Sequence, residues 1–238
     1  MDGSYIDNRS VVSTNGTFTA QVFGWMTVGV FISGFIAMAI SILSAQSEQF
    51  LVLFSVLFLP AIIIELILVL VLSALWRRLN AVFATILFLA YSAFSGLTIG
   101  IIAVNYSVSS LFIAFGISGL MFLVLAVYGL LTKKDLGKWQ SVALFALVGV
   151  ILVSIINVIL LLLNSPLFNT LNAILNYVIV IVFSVLIAAD ANSLKKLAAE
   201  AEASGQGYGR YAIIGALQLY LDFVNLFLSV LRITGKRR

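Results

Sequence analysis

The chain has no cysteine and no histidine, and its 238 residues include only two prolines. The absence of cysteine excludes disulfides, thiolate chemistry and cysteine-bound metals, and it leaves the redox compartment open. Histidine is the side chain that ordinarily titrates near neutrality. Any response to pH in that range must therefore come from carboxylates, the amino terminus or bound water.

Charge is also scarce, because only 9% of the residues are charged while 63% are hydrophobic. This composition excludes a soluble globular protein, which needs far more polar surface. A membrane span needs about 20 apolar residues. Such stretches are found at Val22–Leu43, Phe50–Leu75, Ala81–Tyr106, Ser109–Leu131, Ser141–Leu163, Leu171–Leu194 and Ile213–Leu231.

The expected fold is therefore an all-α integral membrane protein, a seven-transmembrane-helix bundle with the last helix at its centre. We expect one transmembrane domain at residues 20–235, between a polar N-terminal tail, 1–19, and a basic C-terminal tail, 236–238. The first span is too long for a signal-peptide core and is expected to be retained.

The basic residues of the connections predict the orientation. They follow the second, fourth and sixth spans, at Arg77, Arg78, Lys133, Lys134, Lys138, Lys195, Lys196 and Arg210. By the positive-inside rule, these connections and the N-terminus are expected in the cytoplasm. The basic tail at Lys236 opposes this rule if the last segment crosses fully. We favour a full crossing, with a re-entrant last segment as the alternative.

The connection after the sixth span is rich in helix formers from Lys195 to Ala203, which predicts that this helix continues beyond the membrane until the glycines at 205–209 end it. A phosphate-binding loop is disfavoured, because no strand precedes these glycines and no Lys-Ser/Thr follows. Topology and anionic lipid explain the basic connections, so no nucleic-acid partner is expected.

The last span contains a carboxylate at Asp222, on one helical stripe with Gln218, Asn225, Ser229 and Arg232. A charge at bilayer depth costs roughly 2.5–3.5 kcal/mol on insertion scales, so this stripe should face protein or water. One interpretation is functional, and the other is a protonated Asp222 that only links helices by hydrogen bonds.

A second carboxylate, Asp190, lies near the cytoplasmic end of the sixth span, in the same half of the bundle as Asp222. If the two meet, they share one proton and titrate in coupled steps, which would let a chain without histidine sense pH. The alternative is a helix-end residue that pairs with a lysine or reaches the interface.

A further polar seam in the third span includes Tyr91, Ser95, Thr98 and Asn105, and Glu65 lies deep in the second span. Hard cations such as Ca²⁺ prefer oxygen ligands. We therefore expect these side chains, together with Gln218 and Asn225 of the last span, to line an ion pathway, with helix packing as the alternative. Ser92 and Gly96 should allow a close helix approach.

Four motifs resemble the Bax-inhibitor (transmembrane Bax-inhibitor-motif) family. The most specific is the last helix, GALQLYLDFVNLFLSVLR at 215–232. The others are YSAFSGLTIG at 91–100, Glu65 with LSALWRR at 72–78, and FSVLIAAD at 183–190 with Lys195. The resemblance extends over nearly the whole chain.

The resemblance implies six helices around the last one and a pH-sensitive calcium leak in the bacterial plasma (inner) membrane. It further implies that Asp190 and Asp222 form the pH sensor, that Arg77 rather than Arg78 latches one of them, and that Glu65 is a pore-side carboxylate. One departure stands out. The family commonly has Tyr-Asp-Thr at the sixth-helix aspartate, whereas this chain has Ala189 and Ala191 there.

The expected function is thus a non-enzymatic calcium leak whose partners are lipid, Ca²⁺ and protons, without a cofactor. Asp190 and Asp222 are also the tentative Ca²⁺ ligands. The alternative is an interaction protein that modulates a membrane protease or a stress or cell-death pathway. A hydrolase is disfavoured by the missing histidine and Gly-x-Ser-x-Gly elbow, and the motifs point away from an intramembrane aspartyl protease.

Overall fold

The computed structural model describes residues 5–205 and 207–237, with side chains from residue 16 onward. The described residues form helices α1 (Tyr5–Gln46), α2 (Glu48–Leu75), α3 (Ala81–Ala103), α4 (Val108–Leu131), α5 (Gly137–Leu162), α6 (Leu167–Ser204) and α7 (Gly209–Thr234). Each helix is long and apolar enough to cross a membrane. The predicted fold class, an all-α protein with seven spanning helices, is confirmed.

Most helices begin before the predicted spans, and two of the boundary differences stand out. α1 begins at Tyr5, inside the segment 1–19 that the sequence assigns to a polar tail, and α3 ends at Ala103 rather than Tyr106. The early end of α3 has a local cause, because Tyr106 forms an antiparallel backbone bridge with Arg237.

Short polar residues begin three of the helices. Ser47, Asn80 and Ser107 are the N-caps of α2, α3 and α4, and the Asn80 side chain accepts a hydrogen bond of 2.8 Å from the Phe83 N–H. Such caps satisfy backbone donors that have no partner within the helix. α6 continues past its membrane span and ends before Gly205, whose φ of 62° favours glycine. The predicted extension of the sixth helix is thus confirmed.

The chain forms two compact units. The first comprises the chain up to Asn105 together with Leu194–Tyr220, and the second comprises Tyr106–Ser193 together with the chain from Leu221 on. α6 and α7 therefore each contribute residues to both units.

In the first unit, glycines bring α1 and α3 into close contact. A Cβ added at Gly96 would lie 2.8 Å from the backbone oxygen of Ser33, and one at Gly100 would lie 3.0 Å from the Cα of Ala37. No larger residue fits at such a distance without movement of the backbone. The close approach expected at Gly96 is present.

α7 is the most buried helix. In its most apolar stretch 78% of the residues are buried, against 11% in α2 and α5, where outward-facing side chains such as Phe145 are 82% exposed. Within the first unit α7 contacts α1 through Gly215 and α3 through Tyr220. Within the second unit Phe223 packs against α4. This burial fits the predicted central position of the last helix.

The two ends of α7 make different contacts, each within one unit. At its start the Arg210 guanidinium donates to the backbone oxygen of Arg77, just before α3, at 2.9 Å. Beyond its end the Lys236 N–H donates to Ser110 Oγ at 2.9 Å, just after α3. α7 is long and apolar enough for a full crossing, and the choice between a full crossing and a re-entrant segment stays a prediction.

Candidate functional site

The second unit contains a buried pair of carboxyl groups. Asp190 of α6 and Asp222 of α7 are 7% and 4% exposed, and their side chains are hydrogen-bonded to one another. Ionised carboxylates only accept hydrogen bonds, so a bond between two of them requires a proton on one. The close approach of the two carboxyl groups is therefore favourable only when at least one of them is protonated.

The two carboxyl groups have different surroundings. Asp190 Oδ1 also accepts a hydrogen bond of 2.6 Å from Nε2 of Gln140, whereas Asp222 Oδ2 is buried and has no hydrogen-bond partner among the described residues. Burying an ionised carboxylate oxygen without a hydrogen-bond partner costs more free energy than burying the carbonyl oxygen of a protonated acid. Among the described side chains, only Asp190 of the pair thus has an amide donor.

Next to the pair, Asn192 joins α6 to the connection between α4 and α5. Its Oδ1 accepts from the Leu136 N–H at 3.2 Å, and its Nδ2 donates to the Gly129 oxygen at 3.0 Å. α4 and α6 are very close at this point, because a Cβ added at Gly129 would lie 2.1 Å from the Ala188 oxygen. Asn192 and Gly129 thus fix the turn of α6 that carries Asp190.

Aromatic rings set the orientation of α7 beside the pair. Phe223, the neighbour of Asp222 in sequence, packs edge-on against Phe115 and Phe122 of α4, with ring centroids 5.6 and 5.7 Å apart. Rotation of α7 about its axis would break these contacts. The rings therefore hold Asp222 in the direction of α6.

The first unit contains a separate polar cluster around Glu65. The Thr98 hydroxyl donates to Glu65 Oε1, and the ring of Tyr91 lies 5.8 Å from that of Tyr220. The Tyr220 hydroxyl faces hydroxyls of the serines at 33, 92 and 95 without a hydrogen bond of good geometry. The predicted pathway residues Glu65, Tyr91 and Thr98 therefore lie in one cluster, which also includes Tyr220.

Arg77 contacts residues of the first unit, and its role as a latch stays a prediction. Its guanidinium lies 3.6 Å from Glu200 Oε2, the side chains are 72% and 52% exposed, and it also contacts the ring of Trp76. The hypothesis assumed a buried guanidinium that needs a buried carboxylate. Because Arg77 is exposed, water and Glu200 satisfy its charge, and Asp190 is hydrogen-bonded to Gln140 and Asp222 instead.

The other predicted pathway residues of α7 are half-buried. Gln218 and Asn225 lie one above the other, seven residues apart, and the Asn225 side chain donates to the Leu221 oxygen of its own helix at 2.8 Å. Among the described residues, no group of three or more acidic side chains lies close enough to bind a metal ion.

Gln140, Asn192 and Tyr220 were not selected by sequence reasoning. Asn192 follows Asp190 by two residues, and Gln140 lies in the first turn of α5 after the lysines of the preceding connection. Both are polar residues at the ends of apolar stretches, where polarity ordinarily marks the membrane boundary. Only the packing of α5 on α6 identifies Gln140 as a contact of Asp190, and Asn192 as a contact of the connection before α5.

The fold and this site define a multi-pass helical membrane protein with a buried, hydrogen-bonded carboxyl pair. The sequence model of the family described as "Inhibitor of apoptosis-promoting Bax1" matches residues 15–238. The chain belongs to this Bax-inhibitor family, which confirms the resemblance seen in its motifs.

Bacterial relatives cover almost the whole chain. Inner membrane protein YbhL of Escherichia coli K12 is 39% identical over 223 residues, which are 93% of this chain and 92% of the relative. A protein of Borreliella burgdorferi is 36% identical over 222 residues, 93% of this chain and 92% of the relative. A membrane protein of Streptococcus pyogenes serotype M1 is 34% identical over 242 aligned positions, covering 99% of both chains.

Proposed function

We propose that this protein is a pH-sensitive leak for Ca²⁺ in the bacterial inner membrane, and that it catalyses no chemical reaction. The observation that carries the proposal is the hydrogen-bonded pair of Asp190 and Asp222, buried between α6 and α7. A buried pair of acids has little purpose as packing alone, because asparagine forms equivalent hydrogen bonds without the cost of a charge.

The proton of the pair provides the gate. While it is shared, it bridges α6 and α7. Its loss leaves two buried negative charges in contact, and their repulsion disfavours the present packing. A difference of about 1.4 kcal/mol changes a two-state population roughly tenfold. Repulsion at contact in a poorly solvated site is large enough to produce such a change.

The carboxyl pair contacts the ion only transiently in this proposal. Ca²⁺ takes about six to eight oxygen ligands, and a tight site supplies most of them from the protein. Here Asp190 and Asp222 supply two carboxyl groups, which suits passage better than storage. Glu65, Thr98 and Tyr91 would supply oxygen ligands in the first unit, and Gln218 and Asn225 would do so on α7.

The proposed orientation follows the basic connections and the predicted full crossing of α7. The N-terminus and the connections after α2, α4 and α6 are cytoplasmic, and the end of α7 lies on the opposite side of the membrane. The location in the inner membrane is supported by YbhL, which is named for it.

The test is Ca²⁺ flux into proteoliposomes, recorded with an entrapped indicator dye as a function of pH. The wild type should pass Ca²⁺ above the level of empty vesicles, with a rate that changes with pH. Asp190→Asn should remove most of that change, whereas Glu48→Gln, which alters an exposed carboxylate in the first turn of α2, should keep it. A wild-type flux equal to that of empty vesicles would rule the leak out.

The second candidate is an interaction protein that modulates a membrane protease or a stress or cell-death pathway. The family description favours it, because inhibition of another protein is a binding function. In that case reconstituted protein would pass no Ca²⁺, and a membrane protein would co-purify with it. The two candidates are therefore separated by the same vesicle experiment.

A further inference from the structure

The hydrogen-bond shell of Asp190 comes from a different helix. Its neighbours in sequence, Ala189 and Ala191, have no polar side-chain atoms. The Ser193 hydroxyl donates to the backbone oxygen of Asp190 and not to its carboxyl group. The donor that reaches the carboxyl group is Nε2 of Gln140, in the first turn of α5, at 2.6 Å.

Gln140 is held in place by the same turn of α6 that carries Asp190. Asn192 Oδ1 accepts the N–H of Leu136, the residue before α5, and the Leu136 oxygen accepts the N–H of Gln140 at 2.9 Å. Leu136 itself provides no side-chain cap for α5. Asn192 thus takes over part of the capping, and the start of α5 is tied to α6 through both backbone and side chain.

We propose that Gln140 is the positioning residue that holds the Asp190 carboxyl group toward Asp222, and that it ties the position of this group to the α4–α5 connection. The inference rests on the proposed function and adds to it a residue from a third helix. As placed, the amide N–H favours an ionised Asp190, because a hydrogen bond donated to the charged form stabilises that form.

A second proton on the pair removes this match. A protonated Asp190 that turns its O–H toward Gln140 needs an acceptor, and the amide must then present its oxygen instead of its nitrogen. The amide must rotate, or the first turn of α5 must move away from α6. Through Leu136 that movement reaches the α4–α5 connection.

Other charges near the pair have weaker effects. Asp222 faces Asp190 from α7, and the charged residues nearest to Asp190 and Gln140 along the chain are Lys195 and Lys196 on α6, Lys138 on α5, and Lys133, Lys134 and Asp135 in the connection before α5. α4 has no Asp, Glu, Lys or Arg. All of these charges except Asp222 belong to exposed residues, where water and salt screen them. Asp222 and Gln140 therefore dominate the titration.

The test replaces Gln140 by methionine, which has nearly the same length and no N–H. The readout is the infrared band of protonated carboxyl groups, followed against pH in reconstituted protein and assigned by its loss in Asp190→Asn and Asp222→Asn. A hydrogen bond to a charged group is worth about 1.5–3 kcal/mol. Q140M should therefore raise the midpoint of this band by about one to two pH units.

The matched control is Gln49→Met, which makes the same change at an exposed position in the first turn of α2. It should leave the midpoint unchanged. If Q140M does not fold, Gln140→Glu preserves the shape and polarity of the side chain while removing the amide donor, and it should also raise the midpoint. If Q140M folds and keeps the wild-type midpoint, the inference is overturned. If Q140M does not fold, a wild-type midpoint in Q140E overturns it.

The flux assay separates this inference from the leak proposal. If the infrared midpoint shifts in Q140M while wild-type vesicles pass no Ca²⁺, the positioning role stands and the leak proposal fails. The opposite outcome is also possible: the wild type passes Ca²⁺ at a pH-dependent rate, and Q140M changes neither that pH dependence nor the infrared midpoint. In that case the leak proposal stands and the positioning role fails.

Discussion

The two polar clusters of this protein both contain carboxyl groups within spanning helices, but the hydrogen-bond partners of these groups differ. Glu65 in the first unit accepts a hydroxyl hydrogen bond from Thr98, in a cluster that includes the phenols of Tyr91 and Tyr220. Asp190 and Asp222 in the second unit face one another and have a single amide donor, from Gln140. The first cluster holds one carboxylate among hydroxyl groups, whereas the second needs a shared proton.

This difference assigns separate tasks to the two clusters. Hydroxyl groups do not titrate near neutrality, and a lone carboxylate among them changes charge without a like-charged partner to repel. Two acids in contact change their mutual repulsion with every proton gained or lost. The pH response is therefore expected from the aspartates, and the Glu65 cluster is expected to affect the rate of ion passage.

The largest effect is expected from the aspartates. Asp190→Asn and Asp222→Asn should each flatten the dependence of Ca²⁺ flux on pH between about pH 6 and 8, because neither variant retains a proton shared between two acids. Glu65→Gln is the matched change in the other cluster and should keep the shape of the curve. Wild-type pH dependence in both Asp variants would show that the pair is not the sensor.

A large effect on stability is expected where α4 meets α6. Gly129→Ala places a methyl group against the Ala188 oxygen, and such overpacking costs typically 1–3 kcal/mol. Gly116→Ala, also on α4, meets nothing within 4 Å and should stabilise the helix by up to about 1 kcal/mol. Thermal unfolding in detergent measures both. Equal unfolding temperatures would mean that α4 and α6 are not in close contact in the membrane protein.

A smaller effect is expected from Thr98→Val, which keeps the shape of the side chain and removes the hydroxyl that donates to Glu65. Loss of a hydrogen bond to a charged group costs about 1.5–3 kcal/mol. The variant should unfold at lower temperature and change the flux rate, while the pH midpoint of the flux stays within about half a unit of the wild type. A larger shift of the pH midpoint would mean that the Glu65 cluster also takes part in sensing pH.

The fold could be predicted from the sequence, because each spanning helix corresponds to a long apolar stretch. Polar residues within such a stretch are rare and are therefore easily recognised as candidates. Asp190, Asp222, Glu65 and Thr98 were therefore visible as candidates. Gln140 was not. Its contact depends on how α5 packs on α6, a distance of fifty residues along the chain, and a polar residue at a helix end has an ordinary explanation at the membrane boundary.

Arg77 shows the converse limit, because a strong motif predicts a residue without specifying its contact. The motif predicted which arginine follows α2, but its partner depends on the continuation of α6 as a helix to Ser204, which brings Glu200 within reach of Arg77. A resemblance transfers residue types more reliably than it transfers pairings, because a pairing requires both helices to end at matching places.

The smallest effect is expected at this ion pair. An exposed ion pair contributes about 0–1 kcal/mol, because water solvates both charges and salt screens them. Arg77→Ala should therefore change the flux at neutral pH by less than about fivefold, and a rise in salt concentration should reduce the difference from the wild type. Arg78→Ala, which removes the exposed neighbouring charge, is the matched control and should behave similarly. A leak at neutral pH that rises more than tenfold in Arg77→Ala alone would restore the latch, since only a guanidinium paired with a buried carboxylate has that much influence on the closed state.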